Sequence, residues 1–506
     1  MKFFHTAAIK ELDAYTIEHE PIASIDLMER ASRALTKAIL ERYNGCSFAV
    51  FAGPGNNGGD GLAVARMLAV AGSFVQVWLV NPKGKLSPDC AVNLERLRSF
   101  SIEVIEVHRD FAMPSLGGDT VVVDALFGSG LNMPVIDGLF AAVIDGINAS
   151  GCRVVAVDMP SGLMGENNDP QHTTIVKAEL TLTLQFPKMS LLFAENSIFV
   201  GEMKVLDIGL SQEGIESIPS TLYFTDEKDI KSLLRPRPKH THKGNFGRAL
   251  LVAGSRGMAG ASVLAARAAL RSGVGLLTAH IPSCNNVIVQ SSVPEAMTSI
   301  DSNVCCFSDK LDTGKYDAIA VGPGLGQNNE SEAALLHLIE NCRVPMVLDA
   351  DALNILSRNR EWLSRLPQGS VLTPHPGEFE RLFGESQSRY HSIESVRALA
   401  RDYNIAIVLK GAYTAVISPG GNLYFNSTGN PGMATGGSGD VLCGVVLSLL
   451  AQGFTATDAA RIAVYVHGLA GDIAASEKGE TALVAGDIID GLPYAWRSLE
   501  RKEGVQ

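Results

Sequence analysis

The chain has 506 residues, and at roughly 150 residues per domain we expect two or three domains rather than one core. Hydrophobic residues make up 46% and charged residues 19%, a balance that excludes disordered, collagen-like and coiled-coil chains. The 42 Lys and Arg against 54 Asp and Glu give a net charge of −12, which argues against extended binding of nucleic acid or anionic membranes.

The first six residues, MKFFHT, lack the apolar core and cleavage site of a secretory signal, so we expect a cytoplasmic protein. The longest apolar stretch, 441–451, falls well short of the roughly 18 residues that cross a bilayer, so we expect no membrane span. The 8 cysteines contain no C-x-x-C pair, which indicates reduced thiols rather than disulfides or zinc ligands.

From Ser47 onward, short β-branched runs alternate with helical segments, which is typical of a parallel, doubly wound α/β sheet. The polar, proline-containing passage 211–242 interrupts this pattern, and RALLVAG restarts it. We therefore predict two domains, residues 1–222 and 223–506. The second domain is also α/β, and it ends in helices near 439–453 and 456–475.

The segment GPGNNGGDG, residues 53–61, follows the first strand and opens the helix LAVARMLAVAG. Glycines there let backbone N–H groups approach an anion at a helix N-terminus. The segment matches G-x-G-x-x-G, but no acidic residue ends the next strand, so an ordinary Rossmann dinucleotide site is only weakly indicated. A tight strand-to-helix turn without a ligand is the alternative.

Two aspartates, Asp124 and Asp158, lie at the carboxyl ends of hydrophobic strands, where open α/β sheets place their ligands. With Asn57 and Ser161 they offer only oxygen ligands, which suits an alkali or alkaline-earth cation or a polyhydroxylated ligand. Each Asp alone could cap a helix instead. Two of them at equivalent positions beside a glycine segment favour a site.

The motifs NNGGDG, DALFGSGL and VDMPSG resemble, in this order, the NAD(P)HX epimerase (YjeF N-terminal) domain over residues 1–222. The resemblance implies a Rossmann-like, three-layer αβα domain that interconverts the R and S epimers of hydrated NADH and NADPH. It also implies a potassium ion held by Asn57, Asp124 and Ser161. Epimerisation at C6 of the hydrated ring requires proton movement there, so Asp158 is the candidate acid or base. The implied substrate contacts are Asn56, Asn57, Gly58, Gly59, Asp60, Gly128, Ser129, Gly130, Leu131, Asn132, Met133, Pro134 and Asp158.

In the second half, TGGSGD at residues 435–440 precedes the apolar helix VLCGVVLSLL, so its free N–H groups form an anion hole. Asp440 could take a proton from a substrate hydroxyl while these N–H groups stabilise a phosphoryl group in transfer. An acidic N-cap on a buried helix is the alternative. The chain contains no G-x-x-x-x-G-K-[ST], which excludes a P-loop mechanism.

Three more polar or glycine-rich segments interrupt apolar strands: 322–326, 373–378 and 410–414. His375, between two prolines, either faces a ligand or belongs to a rigid exposed turn. Lys410 either supports a nucleotide phosphate or reaches toward the surface. The acidic residues of LDADAL, 348–353, either bind Mg²⁺ through water or cap the next helix.

The motifs GSRGMAGA, GPGLG, DADALN, LTPHPGE, KGAYT and GGSGD resemble the ADP-dependent NAD(P)HX dehydratase, a relative of ribokinase-type kinases, over about residues 225–500. The resemblance implies a ribokinase-like domain with Asp440 as catalytic residue, and Mg²⁺ and ADP as cofactor and phosphoryl donor. ADP would phosphorylate the C6 hydroxyl, and loss of phosphate would restore NADH or NADPH, with AMP as second product. The implied contacts are Ala261, Gly324, His375 and Asp440 with the hydrated dinucleotide, and Lys410, Gly411, Ala412, Tyr413, Thr414 and Gly439 with the nucleotide.

Both resemblances together predict a bifunctional metabolite-repair enzyme, an isomerase fused to a lyase. Its partners are the small molecules NADHX, NADPHX and ADP, without nucleic acid or membrane, and we expect a homo-oligomer. One alternative is a kinase of a small hydroxymethyl compound fused to a nucleotide-binding domain, since GGSGD would serve that reaction equally well. Another is a non-enzymatic first domain that only binds a nucleotide or a partner protein.

Overall fold

The structure is a computed structural model, and it describes residues 1–20, 22–100, 102–169, 171–385 and 388–500. Residues 386–387 and 501–506 of the predicted second domain lie outside the described residues. The described residues form two compact units, the first from within 2–220 with 388–391 and the second from Met1, 221–385 and 392–500. Both are α/β units with largely parallel sheets, which confirms the predicted fold class. No helix in the described part of the chain is apolar over a length that could cross a bilayer.

The first unit is built around a parallel sheet. The strands of this sheet are β2 (Ser47–Ala52), β3 (Val75–Val80), β4 (Val104–Val107), β5 (Thr120–Ala125), β6 (Arg153–Val157), β7 (Leu180–Leu184) and β8 (Glu202–Leu206). The two-residue strand β1 (Lys2–Phe3) precedes them in the chain and is not one of the strands of this sheet. The helices of the first unit are α1 (Thr6–His19), α2 (Ser24–Tyr43), α3 (Asn56–Val70), α4 (Pro88–Arg98), α5 (Gly138–Ala149), α6 (Ser197–Val200) and α7 (Gln212–Ser217), with 3-10 helices at Met189–Leu192 and Ala194–Asn196. The parallel strands follow the order β4-β3-β2-β5-β6-β7-β8.

Alternate residues of these strands enter apolar layers on opposite faces of the sheet. Val50 belongs to one layer and its neighbour Phe51 to the other. Because both faces are covered, the strands are almost continuously hydrophobic, and the unit has three layers. The strand order reverses between β2 and β5, so the carboxyl ends of these two strands flank a crevice.

Helix α3 begins at Asn56, so NNGGDG forms the start of the helix rather than a loop ahead of it. Glycine permits this because the first turn packs directly on the preceding backbone. A Cβ on Gly58 would lie 1.7 Å from the carbonyl oxygen of Gly53. A side chain at this position would therefore push the helix away from the strand end.

We expect Gly58→Ala to destabilise the first unit by about 3 kcal/mol, because the clash is with backbone that cannot rotate away. Gly55→Ala is the matched control, since Gly55 has φ = −91° and a methyl group added there would have no atom within 4 Å. Urea unfolding followed by hydrogen exchange on peptides from α3 measures the difference. Equal stability of the two variants would contradict the packing argument.

The second unit contains a longer, mixed sheet. Its strands are β9 (Leu222–Thr225), β10 (Arg248–Val252), β11 (Leu276–Pro282), β12 (Met297–Asp301), β13 (Ala318–Val321), β14 (Met346–Leu348), β15 (Val371–Leu372), β16 (Ala406–Leu409), β17 (Ala415–Ile417) and β18 (Leu423–Asn426). Its helices are α8 (Glu227–Leu233), α9 (Ala259–Arg271), α10 (Asn286–Ser292), α11 (Asn329–Asn341), α12 (Asp351–Arg358), α13 (Pro376–Phe383), α14 (Arg389–Tyr403), α15 (Ser438–Ala451), α16 (Ala456–Lys478) and α17 (Ala485–Glu500), with 3-10 helices at Lys243–Phe246, Ser283–Asn285, Arg360–Arg365 and Pro431–Met433.

These strands follow the order β9-β18-β17-β16-β15-β14-β13-β10-β11-β12, and only β17 runs antiparallel to its neighbours. The predicted late helices are confirmed as α15 and α16, and α15 is buried along nearly its whole length after its first turn. It packs with α9 and α16 in the main apolar core. The order reverses between β10 and β13, which places a second crevice at the carboxyl ends of β10 and β13–β16.

Candidate active sites

A cavity of about 840 Å³ lies at the carboxyl ends of the central strands in the first unit. Its walls come from the first turn of α3, residues 126–137, Asp158, helix α1 and, at the end of β7 and just after it, Leu184, Gln185 and Lys188. The predicted substrate contacts that line it are Asn56, Asn57, Asp60, Gly128, Ser129, Gly130, Leu131, Asn132, Met133, Pro134 and Asp158. Gly58 and Gly59 are not among the lining residues and are buried in the first turn of α3.

Asp158 lies immediately after β6 with φ = 67°, a left-handed backbone conformation that is strained for a residue with a side chain. One carboxylate oxygen accepts a hydrogen bond from Nζ of Lys188 at 2.5 Å, and the other accepts one from the backbone N–H of Ser129 at 3.0 Å. Burial favours the neutral acid, but Lys188 and Ser129 outweigh it and lower the pKa of Asp158 below its ordinary value. Asp158 is therefore an ionised carboxylate in the cavity wall.

Lys188 is a partner of Asp158 that the sequence motifs do not reveal. Its side chain is 2% exposed, and its ammonium also donates to the hydroxyl of Thr183 at 3.1 Å and to the carbonyl of Leu184 at 3.0 Å. A buried ammonium needs such partners, since leaving water costs several kcal/mol for an ion. Lys188 follows β7, the strand beside β6. Its position after a neighbouring strand is the sequence feature that could have identified it as a partner of Asp158.

Asp124 and Ser161 form a second polar group at these strand ends. The Asp124 carboxylate accepts hydrogen bonds from the Ser161 backbone N–H at 2.8 Å and from the Ser161 hydroxyl at 2.6 Å. Burial raises the pKa of Asp124 to about 6, although these hydrogen bonds act to lower it. Asn57 has a buried side-chain nitrogen without a hydrogen-bond partner among the described residues. Gly128 lies close to both Asn57 and Asp158, because a Cβ added to it would be 2.9 Å from Oδ1 of Asn57 and 3.0 Å from Oδ2 of Asp158.

In the second unit, the first turn of α15 carries Asp440 after a left-handed Gly437, whose φ is 90°. A Cβ on Gly439 would lie 3.3 Å from Nζ of Lys410 and 3.8 Å from Oδ2 of Asp349, so both side chains lie against this turn. Free N–H groups at the helix start and the Lys410 ammonium form a positive environment. This arrangement suits a phosphate group.

Asp349 and Lys410 form an ion pair, with 2.9 Å between Asp349 Oδ1 and Lys410 Nζ. Burial opposes the charge on Lys410, but Asp349 and Glu378 outweigh it and raise the pKa of the lysine. Burial, and then the negative charge of Asp349, raise the pKa of Asp440 to about 7, although Lys410 acts in the opposite direction. A carboxylate with a pKa near 7 is suited to take up a proton at neutral pH.

The other predicted contacts of this site lie around the same strand ends. Gly324, with φ = 60°, follows β13, and a Cβ on it would lie 3.0 Å from Cβ of Ala261 in α9. His375 caps α13, and its ring accepts the N–H groups of Gly377 and Glu378 at 3.1 and 3.4 Å. The structure thus gives His375 a capping role at the start of α13, and its side chain remains half exposed. The segment 410–414 is the turn between β16 and β17.

The acidic residues of LDADAL are separated by the structure. Asp351 accepts hydrogen bonds from the Gly326 N–H at 2.9 Å and the Gln327 amide at 2.8 Å at the start of α12, whereas Asp349 pairs with Lys410. His467 stands in none of the sequence motifs. Burial lowers its pKa to about 4, so its neutral ring donates from Nε2 to the Ser438 carbonyl at 3.0 Å and fixes the start of α15.

Both halves of the chain match families of known proteins. A family model described as YjeF-related protein N-terminus matches residues 24–190, and one described as NAD(P)H-hydrate dehydratase matches residues 249–493. The crystal structure of an ADP/ATP-dependent NAD(P)H-hydrate dehydratase from Bacillus subtilis, co-crystallised with ATP and Mg²⁺, shares 32% identity, covers 55% of this chain and 99% of that chain, and gives a TM-score of 0.49.

Two relatives match nearly the full length. The bifunctional NAD(P)H-hydrate repair enzyme of Moorella thermoacetica is 37% identical, covering 98% of this chain and 97% of that protein. The bifunctional NAD(P)H-hydrate repair enzyme of Thermofilum pendens is 36% identical, covering 99% and 97%. Since these alignments include both units and both candidate sites, the chain belongs to the family of bifunctional NAD(P)H-hydrate repair enzymes.

Proposed function

We propose that the first unit epimerises R- and S-NAD(P)HX and that the second dehydrates S-NAD(P)HX to NAD(P)H at the expense of ADP. The observation that carries this proposal is the pair of carboxylates at sheet crevices, Asp158 and Asp440, in a chain aligned over its length with bifunctional repair enzymes. We assign these functions to residues 1–222 and 223–506. Family membership supports this reaction over a kinase of a small hydroxymethyl compound, because residues 249–493 match a dehydratase model.

In the dehydratase site, Asp440 takes the proton of the C6 hydroxyl, and the C6 oxygen attacks the β-phosphorus of ADP while AMP leaves. Loss of a C5 proton and of the C6 phosphate then restores the double bond of the dihydronicotinamide ring. Ala261, Gly324 and His375 would contact the hydrated dinucleotide. Residues 410–414 and Gly439 would bind the nucleotide, supported by the cation of Lys410 beside the first turn of α15.

Mg²⁺ fits this site by charge. The carboxylates of Asp349 and Asp440 interact unfavourably, and this contributes to the raised pKa of Asp440. A divalent cation near them, bound with the nucleotide, would supply charge neutralisation of the phosphates. We propose Asp349 and Asp440 as the groups facing it, directly or through water.

In the epimerase site, the cavity takes the hydrated nicotinamide ring beside Asp158, which transfers the proton of the group at C6. The remaining lining residues from Asn56 to Asp60 and from Gly128 to Pro134 bind the dinucleotide. K⁺ fits Asn57, Asp124 and Ser161 because these residues offer hard oxygen ligands. One of them, Asp124, carries a carboxyl group whose burial opposes its ionisation. A bound monovalent cation would supply positive charge that keeps Asp124 ionised.

The remaining assignments stay predictions. NADHX, NADPHX and ADP are the proposed small-molecule partners, and the homo-oligomeric state and cytoplasmic location rest on the sequence alone. They call for a mass measurement in solution and for cell fractionation, respectively.

The function is tested by incubating the full chain with mixed NADHX epimers, ADP and Mg²⁺ and following absorbance of the reduced ring. We expect recovery of both epimers, since the first unit feeds the S form to the second. A stable phosphorylated product would indicate the kinase alternative. No recovery with ADP or ATP would contradict the proposal.

We expect the kcat/KM of dehydration to rise with pH and level off above about pH 7, where Asp440 loses its proton. Below that value the rate should fall about tenfold per pH unit, because only the ionised form accepts the hydroxyl proton. Initial rates with purified S-NADHX between pH 5.5 and 8.5 measure this profile, after subtraction of the non-enzymatic reaction. A rate that falls with rising pH through 7 would contradict Asp440 as the base.

A further inference from the structure

Helix α1 contributes a carboxyl group to the cavity of the first unit. Ile9 and Asp13, one turn apart on this helix, both line the cavity, and Ile9 and Leu12 anchor the helix in the core. Asp13 makes no side-chain hydrogen bond or ion pair with any residue that the structure describes. It is thus a partly buried carboxyl, directed to the same space as Asp158, with its hydrogen-bonding capacity unused.

The surroundings of Asp13 raise the affinity of its carboxyl group for a proton. Burial raises the pKa of Asp13 to about 6, with the negative charge of Asp158 acting in the same direction and the ammonium of Lys188 opposing both. Asp60 on α3 is also within electrostatic range of Asp13, and Lys10 and Lys83 line the cavity. Lys188 is committed to Asp158 by a direct contact, whereas Asp13 has no cation of its own among the described residues.

We propose that Asp13 is a second catalytic residue of the epimerase site, a general acid that works with the carboxylate of Asp158. The inference rests on the proposed epimerase function. Two carboxyl groups in one cavity whose environments shift their pKa values in opposite directions are suited to paired acid and base roles. Asp60 also lines the cavity, and burial raises its pKa well above its ordinary value, but its carboxyl group already accepts a hydrogen bond from Ser32, whereas Asp13 has no such partner among the described residues.

The pair allows epimerisation by ring opening. Asp158 removes the proton of the C6 hydroxyl, the C6–N1 bond breaks with its electrons passing to N1, and Asp13 protonates N1 as C6 becomes an aldehyde. After rotation about C5–C6, Asp13 takes the N1 proton back and the N1 electron pair attacks the other face of C6. Asp158 then returns its proton to the C6 oxygen. Both residues end in their starting states, and no other reactant is consumed.

The test uses the full chain and compares Asp13→Asn with Glu11→Gln, which removes an exposed carboxylate from the same helix. We expect Asp13→Asn to lower epimer exchange about a hundredfold, within the usual contribution of a general acid, and to leave dehydration of pure S-NADHX unchanged. Glu11→Gln should leave both activities unchanged. Wild-type exchange by Asp13→Asn would overturn the inference, whereas absence of exchange in the wild-type enzyme would overturn the proposed function instead.

Two measurements on the wild-type enzyme keep the inference testable if Asp13→Asn fails to fold. The kcat/KM of exchange by the wild-type enzyme should fall above about pH 6, as Asp13 loses its proton. A wild-type profile without this decline would overturn the acid role. Substrate with ¹⁸O at C6 should keep its label, and rapid loss of the label to water would overturn ring opening.

Discussion

Asp440→Asn is expected to lower the kcat of dehydration about a thousandfold or more, because it removes the proton acceptor for the C6 hydroxyl. The amide has nearly the same shape, so the first turn of α15 and the Lys410–Asp349 pair beside it should remain in place. The variant should bind ADP at least as tightly as wild type, since one negative charge near the phosphates is removed. Single-turnover rates with S-NADHX and ADP titrations measure the two effects separately.

The same variant should leave epimer exchange unchanged, since that site is built from residues of the first unit. Glu477→Gln, at an exposed position of α16, is the matched control for loss of one carboxylate in the second unit. Loss of both activities in Asp440→Asn would argue against separate sites. Full dehydration by this variant would show that Asp440 is not the base. The N–H groups at the start of α15 would then make the main contribution to catalysis.

The elements that the sequence predicts well are those with a strong local pattern. The strands β2, β5 and β6 are continuous hydrophobic runs, and the glycine segments at their ends mark where the backbone must turn tightly or pack closely. Helix α3 starts earlier than predicted, at Asn56, because packing of Gly58 on the Gly53 carbonyl overrides the low helix propensity of glycine. That contact joins two residues of one turn, and the geometry of the turn cannot be read from amino-acid composition alone.

The same distinction between strong local patterns and long-range packing applies to the residues of the candidate sites. Asp124, Asp158 and Asp440 are visible in the sequence because each stands in a motif at the end of an apolar segment. Lys188 and Asp13 stand in no such motif, and only the packing of β7 and α1 around the cavity brings them to Asp158. Pairings between residues distant in the chain depend on sheet order and helix docking, which local patterns do not determine.

Lys188→Met is the substitution in the first unit with the largest expected effect. It keeps the volume of the side chain but removes the only cation in contact with the Asp158 carboxylate among the described residues. Leaving one charge of a buried pair without its partner typically costs about 3–5 kcal/mol. Without Lys188, burial should raise the pKa of Asp158, so that the protonated acid no longer accepts the proton of the C6 hydroxyl. We expect an exchange rate lowered about a thousandfold, toward the upper range for loss of a general base.

The pH dependence of stability distinguishes this explanation from a simple packing defect. In the wild-type protein the pKa of Asp158 lies below its ordinary value, so its contribution to stability is present at neutral pH and is lost only as pH falls through that lowered pKa. In Lys188→Met the shift is reversed, and folding takes up a proton. The variant should therefore lose less stability at pH 5 than at pH 7, measured by urea unfolding with hydrogen exchange on β6 peptides.

Removing both charges completes the test. The double variant Lys188→Met, Asp158→Asn should recover most of the stability lost in Lys188→Met, because no buried ion is left without a partner. It should not recover epimer exchange, because the proton acceptor is gone. Recovery of neither property would indicate that Lys188 acts mainly through its hydrogen bonds to Thr183 and Leu184, which stabilise the turn after β7. Recovery of stability alone separates the two contributions of the ammonium, one to folding of the cavity wall and one to the ionisation of Asp158.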